Sequence, residues 1–73
     1  MAEARHYSMI IEWSDEDQGY IVTIPELPGC RTHGEDRLRA IKNALEAIDL
    51  WIESAEKDGM PVPPPRYYDD TDD

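Results

Sequence analysis

The chain has 73 residues, with 7 Lys and Arg against 17 Asp and Glu, a formal net charge of −10 and a single cysteine. This length leaves room for one small domain, and one cysteine excludes an internal disulfide and a zinc site built on several thiolates. The negative charge favours a basic protein over nucleic acid as a partner, because nucleic-acid binding depends on Lys and Arg that meet phosphates.

The first third of the chain has the alternating pattern of a β-hairpin. Residues 6–13 predict one strand, the polar stretch 14–19 predicts the turn, and residues 20–24 predict the returning strand. The residues predicted to face the core are Tyr7, Met9, Ile11, Trp13, Tyr20, Val22 and Ile24.

A proline-rich loop follows the hairpin. Pro25 ends the second strand because it has no N–H to donate, and Pro28 with Gly29 has the chemistry of a type II turn. Residues 30–33 predict a short third strand. Gly34 marks the change to a helical pattern, and we expect it to allow a positive φ at that point.

Residues 36–58 predict one long helix, with Asp36 as its N-cap and Gly59 just after its end. The apolar residues at steps of three and four are predicted to face the sheet: Leu38, Ile41, Leu45, Ile48, Ile52 and Ala55. A short fourth strand is expected at 60–62.

These elements predict an α+β fold, a small antiparallel sheet with one long helix packed on it, in the order β-β-β-α-β. The domain is expected to cover residues 1–65, and the acidic residues 66–73 are predicted to be a disordered tail. No stretch approaches the roughly 20 apolar residues that span a membrane, so we expect no membrane association and a cytoplasmic location.

The apolar surface exceeds what one helix and one sheet can bury. Ala47 and Trp51 lie beside the predicted stripe, and Ile10 with Ile21 lies on the sheet face opposite the core. One interpretation is an association surface on the sheet back or the helix flank, which would support this small domain as a dimer or tetramer. The other is that Trp51 folds over the sheet edge and single exposed apolar residues carry no meaning.

The charges of the predicted helix oppose its dipole. The basic residues Arg37, Arg39 and Lys42 come first, and the acidic residues Glu46, Asp49, Glu53 and Glu56 fill the second half. An acidic patch kept for a basic partner explains this order, and a merely solvated face is the alternative.

Residues capable of catalysis are sparse. Cys30 and His33 resemble a nucleophile and its base, but their odd separation on a strand puts them on opposite faces. Two such groups are also too few for a zinc site. We therefore expect no catalytic residue, no cofactor and no metal site.

Residues 20–30, from Tyr20 through Pro25-Glu26-Leu27-Pro28-Gly29 to Cys30, lead through Gly34 into an alanine-rich helix and a Gly59-Met60-Pro61-Val62-Pro63-Pro64 ending. Over residues 7–64 this pattern resembles the HicB family of antitoxins. The resemblance implies a partial ribonuclease-H-like fold without nuclease activity. It also implies a partner, a small basic HicA toxin that cleaves mRNA and whose active site HicB covers. Many members continue into a DNA-binding domain, whereas this chain ends in its acidic tail, so no direct nucleic-acid binding is expected.

We therefore predict a non-catalytic antitoxin that binds a basic HicA-type ribonuclease and self-associates. The candidate contact residues are Asp15, Glu16, Asp17, Glu26, Glu46, Asp49, Leu50, Trp51 and Glu53, and the motif residues Pro25, Pro28, Gly29 and Gly34 are predicted to be structural. The alternatives are an orphan homo-oligomeric interaction module and a degenerate ribonuclease-H-like nuclease.

Overall fold

The computed structural model describes residues 6–65. In chain order they form three strands, β1 (Ile10–Ser14), β2 (Gly19–Thr23) and β3 (Arg31–Gly34), and one helix, α1 (Arg37–Lys57). The strands make an antiparallel sheet in the order β1-β2-β3. The helix packs on one face of the sheet, mainly over β3 and β2. The predicted α+β fold is confirmed.

The first strand begins at Ile10 instead of residue 6. β1 pairs Ile10 with Thr23, a register that sets Ser8 opposite Pro25. Pro25 cannot donate to a ladder, and the Ser8 N–H donates instead to the two carboxylate oxygens of Glu26, at 3.2 and 3.1 Å. A side chain therefore replaces the backbone ladder at this point.

Two consecutive tight turns connect β2 to β3. The Leu27 N–H donates to the Ile24 carbonyl at 3.1 Å, and the Cys30 N–H donates to the Leu27 carbonyl at 3.0 Å. Gly29 has a φ of 78°, as a type II turn requires at its third residue, so the turn predicted at Pro28 and Gly29 is confirmed. A bond from the Ile24 N–H to the Cys30 carbonyl, at 3.0 Å, closes the loop.

The helix begins and ends within one residue of the predicted limits. The Asp36 side chain accepts a hydrogen bond from the Arg39 N–H at 2.8 Å, which confirms the N-cap. At the other end Gly59 has a φ of 71° and the Met60 N–H donates to the Ala55 carbonyl at 2.8 Å. This arrangement is a Schellman motif, which uses carbonyls that the last helical turn leaves unpaired.

The helix face that meets the sheet is centred on small residues. The buried helical residues are Ala40, Ala44, Ile48 and Ala55. Ile41, Leu45 and Ile52 are only half-buried, and Leu38 is 80% exposed, so the predicted stripe was wrong at its first position. Alanine side chains let the helix approach the sheet more closely than a row of leucines would. The face of the helix that is buried against the sheet is therefore the one that carries the alanines.

Trp13 was predicted to face the core, but it is 51% exposed. It lies on β1, which the helix covers least. Its ring meets Tyr20 edge-on with the ring centroids 5.2 Å apart, and its Nε1 donates to Asp15 at 2.7 Å. Trp13 therefore packs on its cross-strand neighbour and the turn instead of under the helix.

Residues 60–64 form no strand, so the fourth strand expected at 60–62 is absent. The segment is held by a hydrogen bond from the Tyr7 hydroxyl to the Pro63 carbonyl, at 2.6 Å. The predicted tail, 66–73, lies outside the described residues. In the part of the chain that is described, no helix has the length and apolarity to cross a bilayer.

Candidate protein-binding surfaces

The acidic residues of α1 share one exposed face. Glu46, Asp49 and Glu53 are all exposed, and at about 100° per residue they fall within an arc of about 60° around the helix. We call these three residues the acidic helix face. They leave one side of the second half of the helix uniformly negative.

The acidic turn between β1 and β2 lies near the start of the helix. The Arg37 guanidinium at the helix start stands 4.8 Å from the centre of the Tyr20 ring, next to this turn. Asp15, Glu16 and Asp17 are exposed there. The basic first turns of α1 separate them from the acidic helix face, so the structure does not join the two predicted groups into one patch.

Glu26 does not fit its predicted role as a surface contact. Its side chain is 8% exposed, and besides the Ser8 N–H its carboxylate accepts the Ser8 hydroxyl at 2.9 Å. The same carboxylate lies near Tyr7, whose pKa is raised by burial and, to a smaller extent, by the charge of Glu26. Glu26 therefore holds the N-terminal segment against the loop after β2.

Leu50 and Trp51 are neighbours in sequence but face different surroundings. Trp51 is half-buried, packs against the core and donates from Nε1 to the Pro28 carbonyl at 3.0 Å. Trp51 therefore packs against the loop between β2 and β3. Leu50 is 65% exposed. Leu50 and Trp51 together border a groove of about 350 Å³, whose other lining residues are Gly29, Cys30, Arg31, Ala47 and Ser54.

Cys30 and His33 do not come together as a catalytic pair. Cys30 is buried in the core, where burial raises the pKa of its thiol, and His33 is exposed on β3. Within residues 6–65 no three His, Cys, Asp or Glu side chains are grouped to hold a metal ion.

Comparison with known proteins decides the family. Residues 7–73 match the family model described as the HicB-like antitoxin of bacterial toxin–antitoxin systems. The chain belongs to this family. It is an antitoxin of a toxin–antitoxin system, and family membership implies a toxin as its partner.

The relatives of this antitoxin include both short and longer proteins. A UPF0150 protein of Thermoplasma acidophilum is 44% identical over 57 residues, 78% of this chain and 81% of that protein, and one of Synechocystis is 40% identical over 58 residues, 80% and 72% of the two chains. Antitoxin HicB 1 of Photorhabdus laumondii is 34% identical over 59 residues, which are 75% of this chain but 38% of its own length. No solved structure matches the antitoxin significantly.

The motif residues of the antitoxin have identifiable structural roles. Pro25 follows the end of β2, and Pro28 with Gly29 forms the type II turn. Gly34 does not have the positive φ that the sequence suggested. Among the glycines of residues 6–65, only Gly29 and Gly59 have a positive φ. Gly34 is required for a different reason: a Cβ at this position would lie 2.6 Å from the Ala40 Cα.

The helix flank that the sequence offered as an association surface includes residues that were left out of the predicted contacts. Asn43, Ala47 and Ser54 occur with Leu50 at spacings of four, three and four, and none of them is charged. Asn43 donates from Nδ2 to the His33 carbonyl at 2.8 Å, which places this flank over β3. The sequence signal that groups these residues is the absence of charge along one line of an otherwise highly charged helix.

Proposed function

We propose that this antitoxin acts by binding a basic HicA-type ribonuclease through the acidic helix face and covering its active site. It has no catalytic activity of its own in this proposal, and it works in the cytoplasm, where mRNA is cleaved. The observation that carries the proposal is the exposure of Glu46, Asp49 and Glu53 on one side of the helix.

Charge complementarity favours such a pair. A ribonuclease that binds RNA needs a basic surface to meet phosphates, and an acidic protein can compete for that surface. The acidic helix face lies in the second half of α1, where negative charge gains nothing from the helix dipole. Binding to a basic partner accounts for it.

The remaining predicted contacts contribute differently. Asp15, Glu16 and Asp17 form a second acidic group that can steer a basic partner over a distance, because it lies apart from the acidic helix face. Asp15 and Asp17 also accept hydrogen bonds from Trp13 and Ser14 within the turn, which fixes their orientation. Glu26 takes no part, since its carboxylate is buried.

The test is inhibition of a purified HicA-type ribonuclease. Cleavage of a labelled mRNA is followed as antitoxin is added, with the unmodified protein, the double variant Asp49→Lys/Glu53→Lys, and the control Glu12→Lys/Glu35→Lys. The two variants change net charge equally, and all four residues are exposed. We expect the helix variant to inhibit at least about tenfold less well than the unmodified protein, and the control to inhibit nearly as well.

Two results would contradict the proposal. Equal weakening by the two double variants would mean that net charge alone matters and that no particular face is used. Cleavage of the RNA by the antitoxin alone, in a magnesium titration, would favour the nuclease alternative.

A further inference from the structure

The side of β1 that faces the helix layer carries apolar residues that the helix covers only in part. Ile11 pairs with the buried Val22 and Trp13 pairs with Tyr20, and directly opposed residues share one face of a sheet. Met9 lies on the same face, since it packs against the core. The helix lies mainly over β3 and β2, so within residues 6–65 Met9 and Ile11 stay half-buried and Trp13 is exposed.

The helix presents a matching line of apolar residues above β1. Leu38, Leu45 and Ile52 are seven residues apart, so they fall within an arc of about 40° around α1. The opposite flank of the helix, which contains Asn43, lies over β3, so this line faces the β1 side. Leu38 is exposed and the other two are half-buried. We call these six residues the β1-side strip: Met9, Ile11, Trp13, Leu38, Leu45 and Ile52.

Residues 60–65 lead from the end of the helix to one end of the strip. The Tyr7 hydroxyl donates to the Pro63 carbonyl at 2.6 Å, and Tyr7 precedes Met9 by two positions. The prolines that follow favour an extended backbone, because proline fixes φ and does not continue a helix. The chain therefore leaves the described part of the structure beside the strip.

We propose that residues 66–73 of the same chain cover the β1-side strip, running from residue 65 toward the turn between β1 and β2. The strip measures about 21 Å from Ile52 to Leu38, and eight extended residues reach about 26 Å. A segment between the strand line and the helix line has an apolar wall on each side, so Tyr67 and Tyr68 both find contacts there. The contact is with the face of β1 and not with its hydrogen-bonding edge.

The order of charges favours this direction. Along α1 the basic residues come first and the acidic residues follow, whereas Arg66 precedes four aspartates in residues 66–73. A segment antiparallel to the helix brings Arg66 near the acidic half and the aspartates near the basic first turns. Arg37 and Lys42 border the strip there, on either side of Leu38 around the helix.

The two basic side chains are available for such pairing. Within residues 6–65 the Arg37 guanidinium stacks on the Tyr20 ring, and neither Arg37 nor Lys42 forms an ion pair. Positive charge at the start of a helix opposes the helix dipole, so the helix itself gains nothing from these residues. An acidic segment lying beside them accounts for their position.

Cover by this segment also accounts for two exposed apolar side chains. Leu38 is 80% exposed and Trp13 is 51% exposed, although both lie on the helix side of the sheet. A domain of this size buries only about 60% of its unfolded surface, so further apolar burial stabilises it. The acidic helix face lies outside the strip, so it stays open to a basic partner.

The test is disulfide trapping in the full chain. Leu38→Cys/Thr71→Cys joins the segment to the far end of the strip, and Leu50→Cys/Thr71→Cys is the control, since Leu50 is an exposed leucine on the opposite flank. An unbound segment reaches position 50 at least as easily, because that position lies nearer to the helix end. We expect the intrachain disulfide of the first pair to form at least about tenfold faster. The natural Cys30 is buried and does not compete.

A second measurement reads the cover of Trp13 directly. Hydroxyl-radical oxidation of each side chain is compared between the unmodified protein and Tyr67→Ser/Tyr68→Ser, with circular dichroism to show that the variant is folded. We expect Trp13 and Met9 to be oxidised faster in the variant. Trp51 is the internal reference, because it packs against the loop between β2 and β3, and its oxidation rate should not change.

Three results would overturn the proposal. They are equal trapping rates for the two cysteine pairs, disulfides that form only between two chains, and an unchanged oxidation rate of Trp13 in the double serine variant. None of these results bears on toxin binding, because the mutated residues lie outside the acidic helix face.

Discussion

Gly34 and Ala40 bring the third strand and the helix into backbone contact. A Cβ placed on Gly34 would stand 2.6 Å from the Ala40 Cα and 2.8 Å from the Arg39 carbonyl carbon. Both residues are buried, and Ala40 belongs to the core cluster. The strand-to-helix connection therefore depends on the absence of a side chain at position 34 and a small one at position 40.

This contact predicts that Gly34→Ala destabilises the fold strongly. The added methyl group meets backbone atoms, which cannot rotate away as a side chain would, so we expect a loss of about 3 kcal/mol in the free energy of unfolding. Gly29→Ala is the comparison, because Gly29 has a positive φ but open space around it, and it should lose only about 1 kcal/mol. Urea denaturation followed by circular dichroism measures both. A smaller loss for Gly34→Ala than for Gly29→Ala would contradict the prediction.

Glu26 is predicted to matter for stability and not for partner binding. Glu26→Ala leaves the Ser8 N–H without its acceptor in a partly buried site, and we expect a loss of about 1–3 kcal/mol in the free energy of unfolding. Glu16→Ala, which removes an exposed carboxylate from the hairpin turn, should change stability by less than about 0.5 kcal/mol. If Glu26→Ala unfolds at the same urea concentration as Glu16→Ala, the buried hydrogen bonds contribute little.

Cys30 is predicted to be unreactive in the folded protein. Its thiol is buried, and burial raises its pKa above the ordinary value of 9.0, so little thiolate is present near neutral pH. Labelling with a thiol reagent at pH 8 should be at least about a hundredfold slower in buffer than in denaturing urea. A native labelling rate close to that of the unfolded chain would show that the loop after β2 opens freely.

Ionisation of Tyr7 is expected to lower the free energy of unfolding at high pH. Burial, and secondarily Glu26, raises the pKa of Tyr7 above its ordinary value of 10.0. The folded state therefore favours the neutral phenol, so this contribution to stability is fully present below pH 10 and is lost as the pH rises through the raised pKa. Urea midpoints between pH 8 and pH 11.5 measure the effect.

The control for this prediction is Tyr7→Phe, which removes the ionisable group together with the hydrogen bond to Pro63. It should be less stable than the unmodified protein at pH 8, by about 1 kcal/mol. Above pH 10 the difference between the two proteins should shrink. A constant difference across the whole range would mean that Tyr7 does not carry the pH dependence.

The local signals in the sequence predicted most of the fold correctly. The type II turn at Pro28 and Gly29, the N-cap at Asp36 and the helix end before Gly59 were all confirmed. Each of these features depends on the conformational preference of one or two residues, and those preferences act over short distances along the chain.

The exposure of individual side chains was predicted less well, because exposure depends on residues far away in sequence. Glu26 was predicted to be a surface carboxylate, but it accepts hydrogen bonds from Ser8, which lies 18 residues earlier in the chain. Leu38 fitted the helical stripe, yet the helix rests on its alanines and leaves Leu38 exposed. In each case the deciding partner lies on another element, which periodicity along one element does not reveal.

By itself the sequence determined the class of the protein: an acidic α+β domain with one long helix, and the residues that mark it as a HicB-like antitoxin. Composition, alternation and turn chemistry are properties of the chain that need no partner in space. The tertiary structure alone decided that the acidic turn and the acidic helix face lie apart. It also decided that Trp51 donates a hydrogen bond to the Pro28 carbonyl, while Leu50 is exposed beside an open groove. The reason is that the close contact between Gly34 and Ala40 helps to fix how the helix rests on the sheet, and its position on the sheet decides which of its residues face solvent.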